Sequence, residues 1–570
     1  VFVFPATKTV PESIRIVPGT QMSMLKPSLP PIEADDRGRG EVFTRRWVVE
    51  LILDLCGYKP DRDLTSLTAI EPSCGSGAFL APMAVRVAES AKIHGRDIAK
   101  AVEAIQARDI HKPHVLRSRA VVREALCSEG IDSNRAAILA RRWIREGDFL
   151  LEPPAEKSAD FVLGNPPYVR LEAIPAAISN AYRQACPAMG GRADIYVGFY
   201  ERGLHALRDK GVLGFICADR WMRNAYGARL RELISREWSV EAILSMTEVD
   251  AFESEVDAYP AVTVLRRAFQ ERGPLVVDAT PEFGADDAQR LIRATKQGKT
   301  SVTSGGFRAA RLSQWIGDSS GWPTGSPRQL AAITEIEAML PPLEDQATGT
   351  KVGIGLATGA DRIFITQDPD LVEQERTLPL AMVRDIASGK LDWSGHYLVN
   401  PWDENGLVDL REWPALGAYL TRHKADLAKR HTARSGKWHK TIDRVIAGLY
   451  SKEKLYLPDF KGALFPVLDR GESYPHHNLY WITSENWDLE LLGGILLSKV
   501  ANLFIDSYSV RMRGGYLRFQ AQYLRKIRVP NPNEIDRSSA AALRKAFRAH
   551  DGAEATAAAL PLYGLDSLPT

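Results

Sequence analysis

The segment with most chemical potential is Phe161-Val-Leu-Gly-Asn-Pro-Pro-Tyr-Val169. An apolar strand runs straight into Asn165-Pro166-Pro167-Tyr168. The two prolines remove two backbone N–H donors and fix φ, so the loop is rigid and its carbonyls point outward. Asn165 adds a side-chain carbonyl and Tyr168 an aromatic plate. Such a loop suits a planar amine. It offers acceptors for both amine hydrogens and a surface beneath them.

Three other segments suit a bound cofactor. In Ala69-Ile-Glu-Pro-Ser-Cys-Gly-Ser-Gly-Ala-Phe-Leu80 a strand ends at Glu71, a glycine turn follows and a helix begins. Glycine allows close backbone approach, and a helix N-terminus offers free N–H groups to an anion. The GxGxxG dinucleotide pattern fails at Leu80, and GxxxxGK[ST] is absent. Asp109, in Gln106-Ala-Arg-Asp-Ile110, ends the next strand, where a carboxylate can accept from ribose hydroxyls. In Arg145-Glu-Gly-Asp-Phe149, Asp148 could accept from an adenine amino group and Phe149 could cover the ring.

The elements that must position these groups alternate. Leu67–Ile70, Ala104–Ala107, Phe161–Leu163, Gly211–Ile216, Ala242–Leu244 and Ala261–Leu265 read as strands. Helical patterns at Ala78–Ala91, His114–Ser128, Asp194–Arg208 and Ala228–Glu237 fall between most of them. That alternation predicts an α/β fold with a doubly wound, Rossmann-like sheet. The last two strands are too closely connected for a crossover, which predicts an antiparallel hairpin at the sheet edge. Residues 1–35 read as a leader expected to be disordered, 36–270 as the catalytic domain and 271–350 as linker and peripheral elements. Residues 351–570 read as a mixed α+β domain with a different task.

Together these motifs resemble the S-adenosylmethionine-dependent amino-methyltransferases, specifically the gamma-class, TaqI-type N6-adenine DNA methyltransferases. The resemblance runs from about Gly40 to Pro530. Gly40-Glu-Val-Phe43-Thr44 resembles the family's motif for the methionine part of the cofactor. Glu71–Gly77, with Pro72, Cys74 and Gly75, resembles its glycine loop. Asp109-Ile110 is similar to the ribose-binding acid and its neighbour, and Asp148-Phe149 to the adenine-binding pair. Asn165–Tyr168 matches the catalytic motif letter for letter, and Asp194-Ile-Tyr196 and Gly211–Ile216 resemble the two motifs after it.

The resemblance implies S-adenosylmethionine as cofactor and double-stranded DNA as partner. It also implies a restriction-modification or phage-defence setting, with a separate cognate nuclease or other defence subunits. It implies direct methyl transfer to an adenine flipped out of the duplex and stacked on Tyr168, with Asn165 and the Pro166 carbonyl accepting the N6 hydrogens. A second aromatic should complete the base site. Phe252 is the favoured candidate and Tyr259 the alternative, since Phe252 sits among five acids in Glu248–Asp257. Protein-glutamine and RNA-adenine methyltransferases use the same loop chemistry, and a catalytically silent DNA-docking subunit is a further alternative.

The C-terminal half, residues 351–570, which the resemblance implies is a DNA target-recognition domain, carries the basic residues. Residues 422–461 hold eleven Lys/Arg against four Asp/Glu, including Lys429, Arg430, Lys437 and Lys440. Residues 511–528 hold Arg511, Arg513, Arg518, Arg525, Lys526 and Arg528 without an acid, interleaved with Tyr516, Phe519 and Tyr523. Basic residues neutralise phosphate and interleaved aromatics pack or wedge. The recognised sequence is not legible, because base readout depends on which side chains reach the groove edges.

Composition bounds the rest. The 570 residues are 45% apolar and 25% charged, which excludes wholesale disorder. The net charge of +2 gives no global sign of a nucleic-acid partner and leaves room for a local basic face. Five cysteines without a CxxC suit a reducing cytoplasm better than a disulfide or zinc framework. No apolar stretch is long enough for a membrane span. No metal is expected, and His476-His477 reads as part of a polar loop.

Overall fold

The computed structural model describes residues 44–253, 259–461, 463–509 and 517–569. The leader, Phe43, Arg511 and Arg513 lie outside the described residues, as does part of the acidic run after Phe252. Arg518 is described through its backbone alone, which pairs with Phe460.

Ten strands form one large sheet. They are β1 (Ala69–Glu71), β2 (Ile105–Asp109), β3 (Ile144–Glu146), β4 (Ala159–Gly164), β5 (Leu207–Ala218), β6 (Ser239–Ser245), β7 (Pro260–Arg266), β8 (Leu275–Ala279), β9 (Ser301–Thr303) and β10 (Phe307–Arg311). Their order across the sheet is β3-β2-β1-β4-β5-β7-β6-β8-β10-β9. From β3 to β5 every pairing is parallel. The six expected strands are all present, within the usual drift of their ends. β4 is buried almost throughout, as a central parallel strand covered on both faces should be.

One core layer packs helix Arg46–Cys56, helix Leu80–Ile93 and helix Lys112–Ser128 on one face of the sheet. Helices Tyr196–Ala206 and Ala228–Glu237 cover the other face. Helix Arg46–Cys56 shows why the chain folds this way. Val48, Val49, Ile52 and Leu53 are fully buried, while its partner face carries Arg46 and Glu50; that is the stripe of an amphipathic helix lying on a sheet.

The hairpin of β6 and β7 is antiparallel, but it is not at the sheet edge. β7 lies between β5 and β6, and β6 then pairs with β8 in parallel. The physical reason is in 275–311. Leu275, Val276 and Val277 are buried apolar residues, and they cover the hydrogen-bonding edge that β6 would otherwise expose. The stretch expected as linker and peripheral elements thus supplies β8, β9 and β10 to the same sheet.

Beyond it, helix Pro327–Met339 begins with a capping box of Ser326 and Gln329 and packs into a second core with helices Leu489–Leu497, Lys499–Tyr508 and Arg537–Ala549. Strands Lys351–Ile354, Leu479–Thr483, Lys454–Pro458 and Val467–Asp469, in that order, form the sheet beneath them. Another small sheet, from Ile365–Thr366, Thr377–Ala381, Tyr397–Val399 and Tyr474–Pro475, has its own apolar cluster. This half is mixed α and β, as its irregular pattern suggested.

Candidate active site

The carboxyl ends of β1 and β4 bring two loops together. The strands pair in parallel with Ile70 opposite Val162. Gly164 therefore ends β4 beside Glu71, and a Cβ placed there would meet Pro72 at 3.4 Å and the Glu71 Cγ at 3.5 Å. The strand ends that lead into the glycine turn and the Asn-Pro-Pro-Tyr loop therefore lie side by side, which is what transfer between two bound molecules requires.

The glycine turn is built as a cradle. Gly75 and Gly77 both take positive φ, 49° and 94°, the region glycine tolerates best. The Gly75 N–H donates to Asp109 Oδ2 at 2.9 Å, and Ser118 Oγ donates to the Gly75 carbonyl at 2.8 Å. Asp109 Oδ1 accepts from the His111 N–H at 2.9 Å and lies 3.2 Å from His114 Nδ1. Ile110 beside it is an exposed apolar side chain, suited to one face of a ring. Glu71 is buried, and among the described residues its Oε2 has no hydrogen-bond partner. Burial first, and then the Asp109 charge, push the Glu71 carboxyl well above its ordinary range. A buried acceptor without a partner, at the strand end that leads into a glycine turn, fits a cationic or N–H donating ligand. The cradle thus fits S-adenosylmethionine, which carries an ammonium group and a sulfonium. Cys74 is buried, and burial, with Glu71 and Asp109 nearby, raises its thiol well above the usual value. It packs rather than reacts.

Asp148 and Phe149, the expected adenine-binding pair, are both held by contacts within the chain. Asp148 Oδ1 accepts from the N–H groups of Leu150 and Leu151, and Oδ2 accepts from Tyr182 Oη at 2.8 Å. Phe149 is only 2% exposed and stacks on Phe199 at 5.6 Å. Its ring lies with Phe199 in the buried cluster under helix Tyr196–Ala206.

The catalytic loop meets a segment distant in sequence. Asn165 Nδ2 donates to Thr44 Oγ1 at 3.1 Å. Thr44 forms an antiparallel bridge with Phe252, and the Arg45 N–H donates to the Ala251 carbonyl at 3.0 Å. An Arg45–Asp250 ion pair at 2.7 Å closes the junction. The Tyr168 ring meets Phe252 edge to face, with centroids 6.4 Å apart and planes at 82°, and meets Tyr196 at the same separation. Tyr168 Oη lies 3.4 Å from the Ile216 carbonyl, and burial raises the phenol well above its usual value, so it is neutral. Tyr259 is elsewhere, in the wall of a cavity of about 820 Å³ beyond the ends of β5, β6 and β8. The aromatic that joins Tyr168 is Phe252. The link from Thr44 to Asn165 had no local signal, since it depends on register between distant segments.

In the C-terminal half the basic run divides. Arg430 donates to the carbonyls of Thr358, Trp438 and Lys440, at 3.0, 2.9 and 2.7 Å. Its guanidinium pins the loop through these three carbonyls. Lys429 and Lys437 are exposed, and Lys440 is half-buried. Arg525 likewise binds Glu344 and the Val352 carbonyl, at 2.8 and 2.6 Å. His476 and His477 also depart from a plain polar loop. His477 Nδ1 lies 2.9 Å from His476 Nε2, which is 3.4 Å from Asp361 Oδ2. Among the described residues these three have the makeup of a metal site, where the sequence suggested none.

A doubly wound sheet with a glycine cradle after its first strand and an Asn-Pro-Pro-Tyr loop after its fourth is the arrangement expected of an amino-methyltransferase. Residues 123–252 match the family described as Eco57I restriction-modification methylase. The chain is 41% identical over 538 residues to the type II methyltransferase M.XhoI of Xanthomonas vasicola, spanning 93% of this chain and 97% of that protein. It is also 41% identical over 534 residues to M.PaeR7I of Pseudomonas aeruginosa, covering 92% of each. The chain therefore belongs to the type II restriction-modification methyltransferases. Among solved structures, the type IIL restriction-modification enzyme MmeI in complex with DNA shares the fold, with a TM-score of 0.50 and 12% identity over 92% of this chain and 74% of that one. No helix among the described residues is long and apolar enough to cross a membrane.

Proposed function

We propose that this protein is a site-specific DNA methyltransferase that modifies N6 of an adenine turned out of the duplex, using S-adenosylmethionine. It would be the modification component of a restriction-modification or phage-defence system, with a separate nuclease. The observation that carries this reading is the meeting of Asn165, Tyr168 and Phe252 beside the Glu71 cradle.

The N6 lone pair of adenine is delocalised into the ring, so the amine is a poor nucleophile. Asn165 is held by Thr44 through its Nδ2, which turns its side-chain oxygen to the opposite side of the amide. That oxygen and the Pro166 carbonyl accept the two N6 hydrogens. The nitrogen is drawn towards tetrahedral geometry and its lone pair is localised. The same fixed acceptors stabilise the positive charge that develops on N6. When bound, S-adenosylmethionine supplies an electrophilic methyl group. Glu71, Asp109 and the glycine turn hold it at the end of β1. N6 would form its bond to the methyl carbon as the sulfur–methyl bond breaks and the sulfur keeps that electron pair as a neutral thioether, and N6 would then shed one proton to water. Tyr168 stacks on the base, and Phe252 presents an edge to the same space.

Incubation with labelled cofactor and unmethylated DNA, RNA or protein, followed by mass spectrometry, tests the reading. N6-methyladenine in DNA is expected. Label confined to protein glutamine, or to RNA, would overturn it.

A further inference from the structure

A groove of about 740 Å³ opens beside the catalytic loop, with walls from both halves of the chain. Arg170, Asp194 and Arg220 line it on the sheet side, and Gln520 and Gln522 on the other. The groove starts where the catalytic loop ends. Arg170 stands two residues after Tyr168 and bridges to Asp194 through the backbone. The Ile195 N–H donates to the Val169 carbonyl at 2.9 Å, which fixes that junction. The larger cavity of about 820 Å³ is lined by Arg220, Asn224, Gln520 and Tyr523 as well, and the groove shares all four. Arg220 therefore stands where the two spaces join.

The groove's charges do not cancel. Four arginines and two acids line it. Arg192 pairs with Glu172 at 3.1 Å, and Arg229 donates to the Pro187 carbonyl at 3.0 Å. Among the described residues the guanidinium groups of Arg170 and Arg220 make no hydrogen bond or ion pair. Both act on Asp194 at longer range: burial raises its carboxyl, and a hydrogen bond from Tyr196, then Arg170 and Arg220, offset part of that rise. Asp194 instead lies 3.5 Å from Tyr226 Oη. Two cations left open in a groove beside a base-holding ring suit a polyanion. Structural arginines of this chain, such as Arg430, are engaged by carbonyls instead.

We propose that Arg170 and Arg220 hold the phosphodiesters on either side of the extruded adenine nucleotide. The inference rests on the DNA-methyltransferase reading. Turning a base out of the stack rotates its sugar about the flanking phosphates. Pinning those phosphates fixes where the base arrives, without reading sequence. A guanidinium suits the task because it can bind phosphate through two N–H groups at once. The sequence pointed to the C-terminal half for DNA contact; this site adds a phosphate clamp on the catalytic half.

The test uses the full chain carrying Arg170→Ala, Arg220→Ala, Arg220→Lys and the double alanine change. Each single alanine should make the slope of log K against log salt shallower by about 0.9. It should raise KM for DNA on the order of tenfold, with cofactor affinity within about twofold. Arg220→Lys should restore part of the salt slope. In the double variant, 2-aminopurine at the target position should report less extrusion. A wild type that methylates DNA, with variants of unchanged slope and KM, overturns the clamp alone. Cofactor affinity falling in step with DNA affinity also overturns it, because it marks a structural role. A wild type that leaves DNA unmodified overturns the functional reading itself.

Discussion

Asn165 Nδ2 donates to Thr44 Oγ1 at 3.1 Å across 121 positions of sequence. The bond orients the amide proposed to hold the amine, and Thr44 is itself bridged to Phe252 through the backbone. One residue therefore joins two distant segments, Asn165 through its hydroxyl and Phe252 through its backbone.

Thr44→Val keeps the shape and removes that hydroxyl. It should lower kcat on the order of tenfold, the cost of one lost hydrogen bond, while KM for DNA and cofactor affinity stay within about twofold. Thr44→Ser should recover most of the rate. Steady-state kinetics with equilibrium cofactor binding separates the possibilities. A loss mainly in cofactor affinity would place Thr44 against the cofactor, the role its motif resemblance implied.

Asn165→Ala removes one of two fixed acceptors. Loss of a preorganised group at a developing charge costs about 10²–10³ in kcat, and the lost orientation of the base should add to it. Cofactor affinity should stay within a few-fold. Single-turnover rates and cofactor titration are the measurements, and a collapse of cofactor binding would mean that Asn165 belongs to the other site.

Glu71 gives a pH prediction. Its folded-state pKa is raised well above 4.5, with burial as the main cause. The folded protein thus binds a proton that the unfolded chain releases as pH climbs past the ordinary carboxylate range. Stability contributed by this site is greatest below that range and declines as pH rises towards the folded pKa. A cationic ligand prefers the carboxylate form, so cofactor binding should release a proton and strengthen as pH rises through the same window. Glu71→Gln should flatten that dependence, weaken cofactor binding and raise the melting temperature near neutral pH. Calorimetry in two buffers of different ionisation enthalpy checks the released proton. A wild-type affinity that is flat in pH and releases no proton refutes the assignment.

What the sequence made legible was local. The Gly75–Gly77 turn, Asp109 at a strand end and the Asn165–Tyr168 loop each carry their signal within a few residues, and each stands where the strand pattern placed it. Long-range geometry was not legible. Whether Phe149 faced a ligand or Phe199 depended on how helix Tyr196–Ala206 settles on the sheet. The β6–β7 hairpin was read correctly as antiparallel, but its place inside the sheet follows from β8 pairing later in the chain. Charge runs were the weakest guide, because a basic residue in a string of basic residues does not show whether carbonyls lie within its reach. Arg430 and Arg525 look alike in sequence to Lys429 and Lys437, yet they bind backbone.

That difference can be measured. Lys429 has an exposed side chain paired only loosely with Asp426, at 3.7 Å. Lys429→Ala should leave stability nearly unchanged, and should make the salt slope of DNA binding shallower by about 0.9 if it touches one phosphate. Arg430→Ala should instead lower stability by roughly 1–3 kcal/mol, because it leaves several half-buried carbonyls without a donor. Melting curves beside salt-dependent DNA titrations resolve the two effects. An unchanged melting temperature with a shallower slope in Arg430→Ala would return that residue to the DNA interface.

Phe252 is 6% exposed and packs edge to face with Tyr168. It therefore has two tasks, packing the catalytic loop and bounding the base site, and a single alanine change mixes them. Phe252→Ala should cost about 3–5 kcal/mol, as large-to-small changes of buried phenylalanines do. Phe252→Leu keeps most of the apolar volume and removes the ring, so it should fold near normally and still bind cofactor. Its kcat should fall on the order of tenfold, for the loss of an aromatic contact worth about 0.5–1.5 kcal/mol. 2-Aminopurine at the target position should also report a less confined base. Tyr259→Phe, at the wall of the other cavity, should leave both readings near wild type. If Tyr259→Phe or Tyr259→Leu lowers kcat while Phe252→Leu does not, the base meets Tyr259, and the ring contact between Tyr168 and Phe252 is packing alone.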